Sequence, residues 1–162
     1  MRQVRSLYWS KFLLTYKDLG RGGGDLPLAN CNFEQAVQIA KLFSARLPTS
    51  TEWEWMAAGQ EKRRYPWGND PWQSSLANLL DSELANPTPV GSYPKGETPE
   101  GVSDVAGNLW EWTSSSTSQD GRYIRGASYN SKLLYAECAF RNIAPAELQS
   151  AGIGIRLVRD NM

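Results

Sequence analysis

The octapeptide Ala106-Gly107-Asn108-Leu109-Trp110-Glu111-Trp112-Thr113 sets two indoles on either side of a single carboxylate. Side chains alternate across an extended chain, so Trp110 and Trp112 share one face and Glu111 takes the other, beside polar neighbours. Two indoles side by side can anchor a region that has little regular structure of its own.

Working outward, residues 122–128 and 152–159 read as strands, the second because Ile153, Ile155 and Leu157 alternate as in a half-buried strand. Upstream, Tyr65-Pro66-Trp67-Gly68-Asn69-Asp70-Pro71-Trp72 opens a long segment of residues that fix or break the backbone. Pro87, Pro89, Pro94 and Pro99, with Gly91, Gly96 and Gly101, continue it, and its aromatic and apolar side chains argue that it is packed. Two capped helices precede it. Asn32 with Gln35, ahead of Phe33, Ala36, Val37, Ala40 and Phe43 at helical spacing, predicts a helix over 33–45. Thr49 with Glu52 repeats the device and opens a helix that runs through Trp53, Trp55 and Met56 toward Gly59. Leu7, Tyr8, Phe12, Leu13 and Tyr16 predict a short helix within 4–16. Arg21-Gly22-Gly23-Gly24-Asp25 lacks the Lys-Ser/Thr that a phosphate-cradling loop needs and reads as a connector.

The 162 residues predict about 8,000 Å² of folded surface and one sizeable core. Seventeen basic and seventeen acidic side chains cancel, which argues against nucleic acid or anionic lipid as partner. Histidine is absent, which removes the usual general base and the commonest transition-metal ligand. Two cysteines, Cys31 and Cys138, are too few for a disulfide scaffold, though one long-range bridge is open to them. No signal peptide or membrane span is visible, so the expected location is cytoplasmic by default. The carboxylate pairs Glu52/Glu54 and Glu97/Glu100 read as helix-start and solvated-loop charge rather than as acid and base, and Ser131 next to Lys132 points the opposite way on a strand.

Five strings, in order, carry a resemblance: Arg46-Leu47-Pro48-Thr49 running into Glu52-Trp53-Glu54, Tyr65-Pro66-Trp67-Gly68, the octapeptide, Arg125-Gly126-Ala127-Ser128, and Gly154-Ile155-Arg156-Leu157-Val158. Over roughly residues 30–159 the chain resembles the formylglycine-generating, sulfatase-modifying family. That resemblance implies an α+β, C-type-lectin-like fold with two helices, short strands and long irregular packed loops. It also implies a single domain over 1–162, in which residues 1–29 are a divergent N-terminal portion. The family's oxidases need a pair of cysteines just after the Gly-Gly-Ser-like strand, as nucleophile and copper ligand. Here Ser128-Tyr129-Asn130-Ser131-Lys132-Leu133-Leu134-Tyr135-Ala136 holds none. The chemistry of relatives that use a histidine-liganded iron is excluded likewise, because this chain has no histidine. Neither copper nor iron is therefore expected, and the chain reads as non-catalytic.

The pattern is similar to the variable proteins of diversity-generating retroelements, whose C-terminal stretch displays mutable residues before a Gly-Phe-Arg-type strand. That similarity marks residues 126–153 as a candidate variable region, with Tyr129, Asn130, Lys132, Leu133, Tyr135, Phe140, Ile143, Ala146 and Leu148 as ligand-binding positions. Rigid aromatics mixed with adaptable polar groups suit a surface for a protein or other macromolecular ligand; the competing reading makes the apolar members core. The alternative function is a catalytically altered relative, or a regulatory domain of a larger enzyme. The resemblance further implies a calcium site of Asn78, the Leu79 carbonyl, Asp104, Asn108 and Glu111, with Asp81 as a further candidate. Against it stands a hydrogen-bonded loop without metal.

Overall fold

The computed structural model describes residues 1–4 and 6–160. It is α+β, with two helices, seven short strands and long packed loops, and its folded surface is 8040 Å². Strands β1 (Arg2–Val4), β2 (Leu7–Trp9) and β7 (Val158–Asp160) form an antiparallel sheet in that order. A second sheet has the order β5 (Asn142–Pro145), β4 (Gly121–Arg125), β3 (Trp110–Ser116), β6 (Ile153–Gly154), with β3 and β6 parallel.

Both helices start where their caps predict. In α1 (Phe33–Leu42), the Asn32 side chain accepts from the Gln35 amide while Gln35 accepts from the Asn32 amide. In α2 (Ser50–Ala58), Thr49 and Glu52 do the same. The first helix stops short of residue 45 because Ser44 turns left-handed at φ 51°, so that its amide reaches the Lys41 carbonyl and the Ala45 amide reaches that of Ala40.

The N-terminal helix expected within 4–16 is replaced by a strand pair. Trp9, Leu13 and Leu14 are buried, and β2 aligns Leu7 with Asp160 and Trp9 with Val158, so pairing with β7 overrides local periodicity. The strand read over 122–128 ends at Arg125, where Gly126 and Ala127 take φ 95° and 69°. The strand read over 152–159 divides: β6 pairs with β3, β7 with β2, and residues 155–157 cross between the sheets. Trp110 and Trp112 enter the main core with Leu28, Leu79, Ile124 and Ile155. Glu111 points the other way, as alternation requires, but is itself fully buried. Cys31 and Cys138 are both buried and free and belong to different core clusters, so no bridge joins them. Among the described residues no helix is long and apolar enough to cross a membrane.

Candidate functional site

Two buried arginines hold together the region that carries the candidate residues. Arg156, on the crossing between the sheets, meets both oxygens of Glu111 at 2.9–3.1 Å, and each partner is wholly buried. It also donates to the carbonyls of Ser10, Lys11 and Ser103. The Trp53 indole gives Glu111 a further hydrogen bond at 2.6 Å. Arg125, equally buried, donates to the Ser50 hydroxyl, to the Cys138 carbonyl and to Glu54, tying α2 to β4 and to the loop beyond it. Neither arginine stands out in the sequence by spacing; the only signal was their membership of the Arg-Gly-Ala-Ser and Gly-Ile-Arg strings.

The loop that follows β4 is a closed turn. Gly126 has no room for a side chain, since a Cβ there would lie 2.6 Å from the Val105 carbonyl, and its own carbonyl accepts from the Gly107 amide. The Ser131 hydroxyl accepts from the Ser128 amide at 3.0 Å and lies 3.2 Å from the Ser128 hydroxyl. The Ser131 carbonyl takes the Leu80 amide. Serine oxygens thus close the turn in which the resemblance to the family's oxidases implies thiols.

The nine candidate ligand positions differ in exposure and in what they pack against. Asn130, Lys132, Ile143 and Leu148 are exposed, while Tyr129, Leu133, Tyr135, Phe140 and Ala146 are half-buried. Leu133, Tyr135 and Phe140 rest on the main core, with Phe140 4.9 Å from the Tyr135 ring and 6.3 Å from that of Trp110. Tyr129 packs on a small cluster of Leu13, Ala29 and Leu109. Ile143 sits on the edge strand β5 opposite Tyr123.

The residues read as a calcium set do other work as well. Asn78 donates to the Asn86 carbonyl, Asn108 bonds both backbone groups of Thr88, and Asp104 accepts the Gly91 amide, so the three fasten the segment 86–91 at successive points. The Leu79 carbonyl accepts the Ser82 amide. Glu111 does not fit the set as a free ligand, because Arg156 and Trp53 engage both its oxygens; Asp81 is exposed. Two hard donors, Asn78 Oδ1 and Asp104 Oδ1, are buried without a hydrogen-bond partner, and burial pushes the Asp104 carboxyl above its ordinary range. The carboxylate pairs are all matched by cations: Glu52 by Arg46, Glu54 by Arg125, Glu97 by Lys11 and Glu100 by Arg63.

The donors for a thiolate-bound copper or a histidine-bound iron are not in this chain. No histidine occurs in the sequence, and the two sulfhydryls lie in separate clusters, that of Cys138 pushed up to about 12 by burial. Among the described residues no three His, Cys, Asp or Glu side chains gather as a metal centre. The residues present do not fit either metal.

Comparison with known proteins gives the following. The sulfatase-modifying factor enzyme 1-like domain matches residues 5–161. The hercynine oxygenase of Mycolicibacterium smegmatis is 32% identical over 164 aligned residues, which cover 85% of this chain and 38% of that protein. PvdO from Pseudomonas aeruginosa superposes with a TM-score of 0.82 at 18% identity, covering 95% of this chain and 80% of PvdO. Treponema denticola variable protein 1 superposes with a TM-score of 0.76 at 19% identity, covering 86% of this chain and 72% of that one. The two superpositions establish the C-type-lectin-like fold of the formylglycine-generating type. The expectation of a non-catalytic chain is overturned by the oxygenase relative, which is an enzyme. A missing donor set tells what this chain does not supply, and that is a narrower statement than the one drawn from sequence.

Proposed function

The chain belongs to the family of sulfatase-modifying factor enzyme 1-like domains, and from that premise we propose that it is the substrate-holding part of an oxygenase whose metal ligands lie on polypeptide outside it. The chain spans 38% of the length of the hercynine oxygenase it matches. That coverage, beside a donor set without histidine or a thiol pair, is the observation that carries the reading. What the family frame contributes is rigidity: the Arg156–Glu111–Trp53 cluster ties β3, α2 and the crossing segment together, and the Ser131 hydroxyl closes the turn that carries Tyr129. Calcium belongs to the same proposal; Asn78 and Asp104 each have an unpartnered buried oxygen to offer it, and its contribution would be to brace the segment 86–91.

The test replaces the matched region of the M. smegmatis hercynine oxygenase by this chain. The chimera is expected to retain iron and to consume oxygen when hercynine is supplied, while the isolated chain does neither. Oxygen uptake with hercynine by the isolated chain would overturn the proposal, as would a folded, iron-loaded chimera that is inert.

A second reading is favoured by one observation: none of the nine mosaic positions is buried, on a fold shared with a variable protein. On that reading the face around residues 129–148 is diversified for a macromolecular protein ligand. A near-copy of the 3′ coding end that differs at adenines is its required genetic companion, and sequencing the locus decides it.

A further inference from the structure

Outside the region described above, a cleft of about 500 Å³ runs along the outer face of α2 and over its C-terminal end, lined by Glu54, Trp55, Ala58, Lys62, Arg63 and Ala139 among others. Its volume lies within the range of small-molecule sites. The half-buried Trp55 indole and the methyl groups of Ala58 and Ala139 give it apolar walls. Its charges are unequal in their freedom. Glu54 is paired with Arg125, and Arg63 is paired with Glu61 and Glu100. Lys62 is exposed, and no hydrogen bond or ion pair engages its ammonium among the described residues. The backbone there is held in a costly form: Lys62 is left-handed at φ 53°, a conformation that disfavours any side chain. Glycine is favoured three residues earlier, where Gly59 takes φ 64° with ψ -170°, a backbone form that side chains rarely adopt. The turn therefore tucks one guanidinium under the helix end and leaves one uncompensated ammonium at the mouth of an apolar cleft.

We propose that this cleft binds a small organic carboxylate with an aromatic or aliphatic body, its anionic head at Lys62 and its body against Trp55. An ammonium ligand would meet Lys62 as a like charge. Occupancy has a route to the candidate site, because Glu54 lines the cleft and is the carboxylate partner of buried Arg125, whose guanidinium also holds the Cys138 carbonyl.

Titrating the ¹⁵N-labelled chain with phenylacetate, and with benzylamine as the charge-reversed probe, tests the assignment. Phenylacetate is expected to move the amide resonances of residues 54–63 and 139 saturably at millimolar concentration or below, with a smaller response at Arg125. Lys62→Glu should weaken binding at least tenfold without altering the thermal midpoint, and Lys62→Gln by less. Absence of saturable shifts, equal binding of benzylamine, or unchanged affinity in Lys62→Glu would each overturn the proposal. None of these outcomes depends on metal or oxygen, so the assignment stands or falls separately from the oxygenase proposal.

Discussion

Arg156 and Glu111 form an ion pair in which both side chains are wholly removed from water. Such a pair is worth little against a well-packed apolar substitute, yet removing one member strands the other charge. Arg156→Met is therefore expected to cost about 3–5 kcal/mol in urea unfolding, and adding Glu111→Leu should return part of that loss. A double variant less stable than Arg156→Met alone would contradict this account. Asp104 presents the opposite situation, a buried carboxyl with one unpartnered oxygen and a pKa raised by burial. A group whose folded pKa lies above its unfolded value contributes stability below the unfolded pKa and loses it as pH rises through the folded one. Asp104→Asn should thus raise the thermal midpoint at neutral pH without calcium. In the parent chain calcium should raise that midpoint, and in the variant it should not.

At the scale of single elements, the ends of the helices carry the sharpest expectations. Ser44 occupies the left-handed position after α1, where glycine is favoured, and it is exposed, so Ser44→Gly relieves strain at no packing loss. A gain of about 1 kcal/mol is expected from denaturant midpoints. At the start of α2, burial alone would raise the Glu52 carboxyl, but hydrogen bonds from Arg46 and from the Thr49 amide outweigh it and hold the group below its ordinary range. The same Arg46 lowers Asp160. Both depressed carboxyls contribute above the unfolded value of about 4, and the contribution disappears as pH falls through the folded values. Arg46→Met should flatten that acid limb while changing the profile above pH 6 by a constant offset alone. These helices were legible because a capping box is a local device, written in residues three apart. The strand pair at the start of the chain was not, nor was the division of the C-terminal strand between two sheets. Three-residue strands such as β1, β2 and β7 are too short for a period to show; β1 leans on the neighbouring β2, and what makes β2 and β7 strands is a partner about 150 positions away. The alternation around Glu111 was readable, but its engagement by Arg156, 45 residues on, was not. Glu111 enters the calcium set through the resemblance alone, and the ion pair with Arg156 is what that resemblance leaves out.

For the molecule as a whole, the crossing segment is the keystone, since residues 155–157 contact the N-terminal stretch, the segment at 103–104 and β3 together. Deleting residues 153–160 should abolish the cooperative thermal transition rather than lower it by degrees, and a surviving sharp transition would show that the two sheets are independently stable. A polypeptide made in one direction meets this constraint as a schedule. Until the codon for Arg156 has been read and that residue has cleared the ribosome, Glu111 has no cation to accompany it out of water. Early compaction of the nascent chain is then expected to stop short of the native frame, leaving the tryptophan-rich middle open to chaperones until Arg156 arrives.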